Sequence, residues 1–110
     1  MSLGLKFGDN FAAKQDVGAD VVLIASGDDR LVSGSIDDYK VLAQSTLTTS
    51  AVAYLTPGSG HDFIVSNIKI TNPGGSTRIV TLYFDANGTT YDATTQWGSP
   101  ITLAPGASAE

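Results

Sequence analysis

Residues Arg78 to Asp85, Arg-Ile-Val-Thr-Leu-Tyr-Phe-Asp, constrain the fold more than any other stretch of the chain. Period-two geometry puts Val80, Leu82 and Phe84 on one face and Ile79, Thr81 and Tyr83 on the other, so the first face reads as core. The second face, with Ile79 and Tyr83, is more apolar than simple solvation requires. Asn87-Gly88 follows at once and reads as a hairpin, because a type I′ turn needs positive φ at both central positions.

Similar short apolar runs recur from Tyr39 onward between Gly, Pro and Asn breaks, at the spacing of a sandwich or barrel. Strands are expected over Lys40 to Ser45, Ala51 to Leu55, Phe63 to Thr71 and Arg78 to Asp85. A hairpin return over Thr89 to Trp97 should follow, then short strands at Ile101 to Leu103 and Ala107 to Ala109. Helices are disfavoured here, since no stretch after residue 45 holds an i, i+3, i+4, i+7 apolar pattern free of Gly, Pro or β-branched crowding.

The first 38 residues differ. Asp9 to Gln15 reads as a short helical turn and Val21 to Ala25 as a strand, while Gly4, Gly8, Gly18, Gly27 and Gly34 interrupt any continuous element. Such a segment cannot build a core alone. It is expected to be an extended or partly ordered arm (1–38) beside a small antiparallel, jelly-roll-like β-sandwich (39–110). Its apolar side chains, Phe7, Phe11, Val21, Val22, Leu23 and Ile24, then become candidate contacts with another subunit or a lattice. The alternative is that Val21 to Ile24 is an integral strand of the sandwich.

At 110 residues the chain suits one domain with a modest core. Asp9, Asp16, Asp20, Asp28, Asp29, Asp37 and Asp38 face only Lys6, Lys14 and Arg30 in the first 38 residues, which holds most of the net charge of −5. Six cations without a basic cluster argue against nucleic acid and anionic membrane as partners. The absence of cysteine excludes disulfides and thiolate metal sites. The start, Met1-Ser-Leu-Gly-Leu-Lys-Phe, does not read as a signal peptide, and Val21 to Ala25 is too short to span a bilayer, so synthesis and folding in a cytoplasm are expected.

Residues that carry chemistry are sparse. His61, the single histidine, sits in Gly58-Ser-Gly-His-Asp62 and reads as an exposed loop residue. The pairs Asp28-Asp29 and Asp37-Asp38 lack the spacing of a calcium loop and read as solvated carboxylates. Gly58-x-Gly60 and Gly74-Gly75 open no helix and are not phosphate loops. No catalytic residue, metal or cofactor is expected. Tyr83, Tyr91 and Trp97 are candidate sugar-stacking groups, with completion of the core as the plainer role.

The stretch Phe63-Ile-Val-Ser-Asn-Ile-Lys-Ile-Thr-Asn-Pro-Gly-Gly-Ser-Thr-Arg-Ile-Val-Thr-Leu-Tyr-Phe-Asp85 is preceded by Ala53-Tyr-Leu-Thr-Pro-Gly58. It is followed by Ser99-Pro-Ile-Thr-Leu-Ala-Pro-Gly-Ala-Ser-Ala109. Together these resemble a β-sandwich module of tailed-bacteriophage virion proteins, found in head fibres, capsid decoration proteins and tail-fibre or baseplate components. The likeness covers about residues 52–110. It implies a non-enzymatic structural protein of the virion, often a homotrimer, whose partners are other capsid or tail proteins. Such modules usually continue past the position of Glu110 into another strand, so an edge supplied by a neighbour is one expectation. The carbohydrate-binding reading, through Tyr83, Tyr91 and Trp97, is the alternative.

Overall fold

The computed structural model describes residues 3–32 and 37–110, and nothing beyond the backbone at Asp37. Nine strands follow one another: β1 (Leu3–Leu5), β2 (Asn10–Gln15), β3 (Val22–Leu31), β4 (Asp37–Thr46), β5 (Val52–Leu55), β6 (His61–Thr71), β7 (Arg78–Asp85), β8 (Ile101–Leu103) and β9 (Ser108–Ala109). They form an all-β sandwich of two antiparallel sheets, and among the described residues there is no helix. The five-stranded sheet has the order β1-β6-β3-β4 with β9 also on β6, and the four-stranded sheet the order β5-β2-β7-β8. β1 and β9 pair with opposite ends of β6, at Phe63 to Val65 and at Ile70 to Thr71.

The alternation read from β7 holds on its inner face: Val80 is fully buried, and Leu82 and Phe84 pack against the core. Opposite them stand Leu23 and Ala25 from β3 and Val65, Ile68 and Ile70 from β6, at period two except between Val65 and Ile68, where a bulge inserts one residue. The outer face of β7 differs from a solvated one because Tyr83 is buried too. Its cover is Tyr91, whose ring centroid lies 6.2 Å away.

The proposed arm is a correction. Its residues enter both sheets: β2 is hydrogen-bonded to β5 on one side and β7 on the other, and β3 to β4 and β6. The sandwich therefore begins at Leu3, and the strand alternative for Val21 to Ile24 is the one observed. Asn10 to Gln15 is a strand where a helical turn was expected. Ala, Lys and Gln favour helix intrinsically, but two flanking ladders and burial of Phe11, Ala12 and Ala13 outweigh a preference worth tenths of a kcal/mol per residue. Of the arm's glycines, Gly34 lies outside the described residues. Gly27 serves a close approach: a Cβ there would run into the carbonyl oxygen of Ile64, where a bulge shifts the β3–β6 register.

The expected Asn87-Gly88 hairpin is also revised. Only Asn87 has positive φ, at 58°, so the turn is not type I′. The Asp85 carboxylate folds over the turn and accepts the Thr90 amide at 2.7 Å. It occupies the space a Gly88 side chain would need, with Oδ2 2.5 Å from an ideal Cβ. The return is no full strand. It touches β7 through a Tyr83–Gln96 bridge and the bonds Phe84 N to Thr95 O (2.9 Å) and Trp97 N to Leu82 O (2.8 Å).

Three buried carboxamides fasten the loops. Asn10 donates to Gly88 O at 2.6 Å and accepts from Thr56 at 3.0 Å. Gln15 donates to Val17 O at 2.6 Å and accepts from the amides of Asp20 and Val21 at 3.2 and 2.9 Å. Asn72, fully buried, donates to Ser76 O at 2.7 Å and Leu103 O at 3.0 Å and accepts from Gly74 N at 3.1 Å. It thereby locks the β6–β7 turn to the β8–β9 turn.

Two stability outcomes follow. Gly27→Ala should cost about 2–3 kcal/mol in urea melts through overpacking, whereas Gly75→Ala, where a Cβ meets open space, should be nearly neutral. Equal costs would refute the close approach at the bulge. Asn72→Ala should cost about 2–3 kcal/mol, since it strands buried backbone groups, and more than Ser66→Ala at the surface.

Candidate functional site

Strands β3 and β4, each ten residues, and β6, eleven residues, outrun their counterparts in the four-stranded sheet. Their ends project past the core and offer two faces. On the inward face, Asp29 collects charges: His61 Nδ1 lies 2.8 Å from its Oδ1, and Lys40 Nζ lies 3.2 Å from its Oδ2 and 3.5 Å from Asp38. His61 is thus the first residue of β6 and paired with a carboxylate, not a free loop histidine. The hydrogen bond from His61, then that from Lys40, holds the Asp29 carboxyl below its ordinary range, and Asp29 in turn raises Lys40. Among the described residues no serine or threonine hydroxyl is hydrogen-bonded to His61. Asp28, next along β3, points to the opposite face, so the acidic pair does not converge on one site. Among the described residues no three metal-ligating side chains gather.

The aromatic candidates are divided by the four-stranded sheet. Trp97 turns inward and meets Phe11 edge to face, centroids 5.3 Å apart at 84°. Tyr83 and Tyr91 meet at a tilt of 49° on the outer side, with Tyr83 buried. The three make no common platform. Trp97 instead helps wall a cleft of about 270 Å³ between the sheets, with Ile68, Ile70, Leu82, Ile101 and Ala109.

The candidate contact residues also divide. Phe11, Val21 and Leu23 are fully buried and have no outward surface; Val22 is half-buried, Ile24 reaches solvent, and Phe7 is 64% exposed. Alternation along β3 causes this split, sending Leu23 inward and Ile24 outward. At the projecting end, Leu31 and Val32 are exposed as well.

Leu31 and Val32 were not among the residues expected to make contacts, and neither were two exposed side chains further along the chain. Tyr39 and Val41 stand on the outward face of β4, 67% and 54% exposed. Their i, i+2 spacing is a usable signal, but β4 extends three residues further back than the expected start at Lys40 and so includes Tyr39. The Tyr39 hydroxyl lies 3.3 Å from Ser66 Oγ on β6, on the far side of β3, so its ring lies along the sheet.

Comparison with protein families, curated proteins and solved structures finds no match to this chain.

Asp29→Asn should lower stability by roughly 1 kcal/mol at pH 7. Because the folded carboxyl titrates below its unfolded value, this stabilisation is complete above the ordinary carboxylate range and lost as pH falls through the folded value. Wild type and variant should therefore converge in urea melts at strongly acid pH; a constant gap down to pH 2 would refute the ion network.

Proposed function

We propose that this protein is a non-enzymatic structural component of a bacteriophage particle, assembling as a homo-oligomer, with a trimer favoured, and docking on capsid or tail proteins. The resemblance of residues 52–110 supports the virion setting. The observation that carries the assembly role is the apolar projecting end: Phe7, Leu31 and Val32 are solvent-exposed in the single chain, the last by 63%. Register brings them to one end of the five-stranded sheet, since Leu5 pairs with Phe63 and Leu31 with His61. Side chains of this size in water mark a contact surface. Docking through a separate arm is not part of this reading, because β1 to β3 are strands of the sandwich.

Light scattering and native mass spectrometry of the full chain test the reading. The expected mass is three times the 11.4 kDa of one chain. The double variant Phe7→Ser, Val32→Asp should shift it to one chain with little change in melting temperature. A monomer at every concentration up to about millimolar, together with absence of the protein from purified particles, would overturn it.

A further inference from the structure

The outward face of the five-stranded sheet holds a second surface of different chemistry. Register sets Tyr39, Asp28, Ile64 and Gly4 in one row across β4, β3, β6 and β1. Arg30 and Asp62 form the next row, bonded at 3.3 Å, and Lys6 continues it beyond the end of β1. Burial of Leu5 and Val65 fixes the direction, because their neighbours Gly4, Lys6 and Ile64 must then point away from the core.

Gly4 stands out in this row. A Cβ there would meet nothing within 4 Å, and its φ is not positive, so neither packing nor backbone conformation calls for glycine. Glycine inside a strand weakens it and often marks a place where something from outside approaches closely. The missing side chain opens a recess of about 200 Å³, lined by Gly4, Lys6, Asp9, Arg30, Asp62 and Ile64. Further along the same row, across β6 and β3, lies the Tyr39 ring, tethered by its hydroxyl to Ser66 and largely open on its upper face.

We propose that this face binds a neutral saccharide, with the C–H face of one sugar ring on Tyr39 and hydroxyls of a ring further along the same oligosaccharide in the Gly4 recess. A flat aromatic ring held along a sheet suits the apolar face of a pyranose. The adjoining guanidinium and carboxylate of Arg30 and Asp62 donate and accept side by side, which is what a vicinal diol needs. Lys6 and Arg30 face Asp9, Asp28 and Asp62, so the surface has no positive excess to hold a phosphate, sulfate or acidic sugar. From Tyr39 to Gly4 is three strand spacings, roughly 14 Å, long enough for a short oligosaccharide. Lys6 and Arg30 adjoin Phe7 and Leu31 of the apolar end in the chain but point to the outward face, so sugar binding at this face is read without requiring assembly.

The test is a titration of the isotope-labelled full chain with three neutral tetrasaccharides, a β-1,4-glucan, an α-1,4-glucan and a β-1,4-linked N-acetylglucosamine oligomer, followed by amide chemical shifts. At least one should move the amides of Gly4, Asp28, Tyr39 and Ile64 at millimolar concentration. Tyr39→Ala should weaken that binding about tenfold, the usual worth of a lost stacking contact. Gly4→Thr should weaken it as much while melting no lower than wild type, since the new side chain fills open space with a better strand former. Silence from all three sugars, unchanged affinity in both variants, or shifts centred on Trp97 and Tyr91 would each overturn the proposal.

Discussion

Strand β2 is hydrogen-bonded along both edges and covered on both faces, and the rest of the sandwich is arranged around that enclosure. Its inward side chains, Phe11 and Ala13, enter the main core, while Ala12 is buried outward beside Tyr83. Small residues are required there because Tyr83 and Tyr91 occupy the space above the sheet. A strand enclosed in this way cannot be added late or left out. Removing the first part of the chain would open one edge of β5 and of β7 from Val80 to Asp85, and strip the core of Phe11, Val21 and Leu23.

Sheets of this kind are joined by many crossings, because among the described residues only β3–β4 and β7–β8 are sequence neighbours that also pair. Most connections therefore pass from one sheet to the other and leave backbone groups at the ends of the core. Asn10, Gln15 and Asn72 satisfy those groups from within. A carboxamide both donates and accepts without carrying charge, so it can be buried at a crossing at little net cost once every partner is in place.

The unequal length of the sheets creates the protein's usable surfaces. Where β3, β4 and β6 run on without a partner sheet, their inward side chains would face water if apolar, and Asp29, Asp38, Lys40 and His61 stand there instead. The same projection leaves Phe7, Leu31 and Val32 uncovered, while the outer face, turned away from the partner sheet, displays Tyr39 and the Gly4 recess in one row. One geometric fact, the overhang, thus underlies both the ion network and the apolar end.

The sequence by itself determined the class of fold and its clearest strands. β7 and β8 lie where alternation and turn residues put them, and β4, β5, β6 and β9 differ by a few residues at their ends. These elements are legible because period-two burial leaves a local mark. Only the tertiary structure decided the fate of residues 3–31, since the ladders that hold β2 and β3 come from residues tens of positions away and override the helix preference of Ala12 to Gln15. It also decided which aromatics face solvent. Trp97 and Tyr83, prominent in the sequence, are drawn to opposite sides of one sheet by the short return along β7, while Tyr39 remains outside because register places it on the face of its sheet turned away from the second sheet. Burial is a property of what lies opposite a side chain, and no local pattern records that.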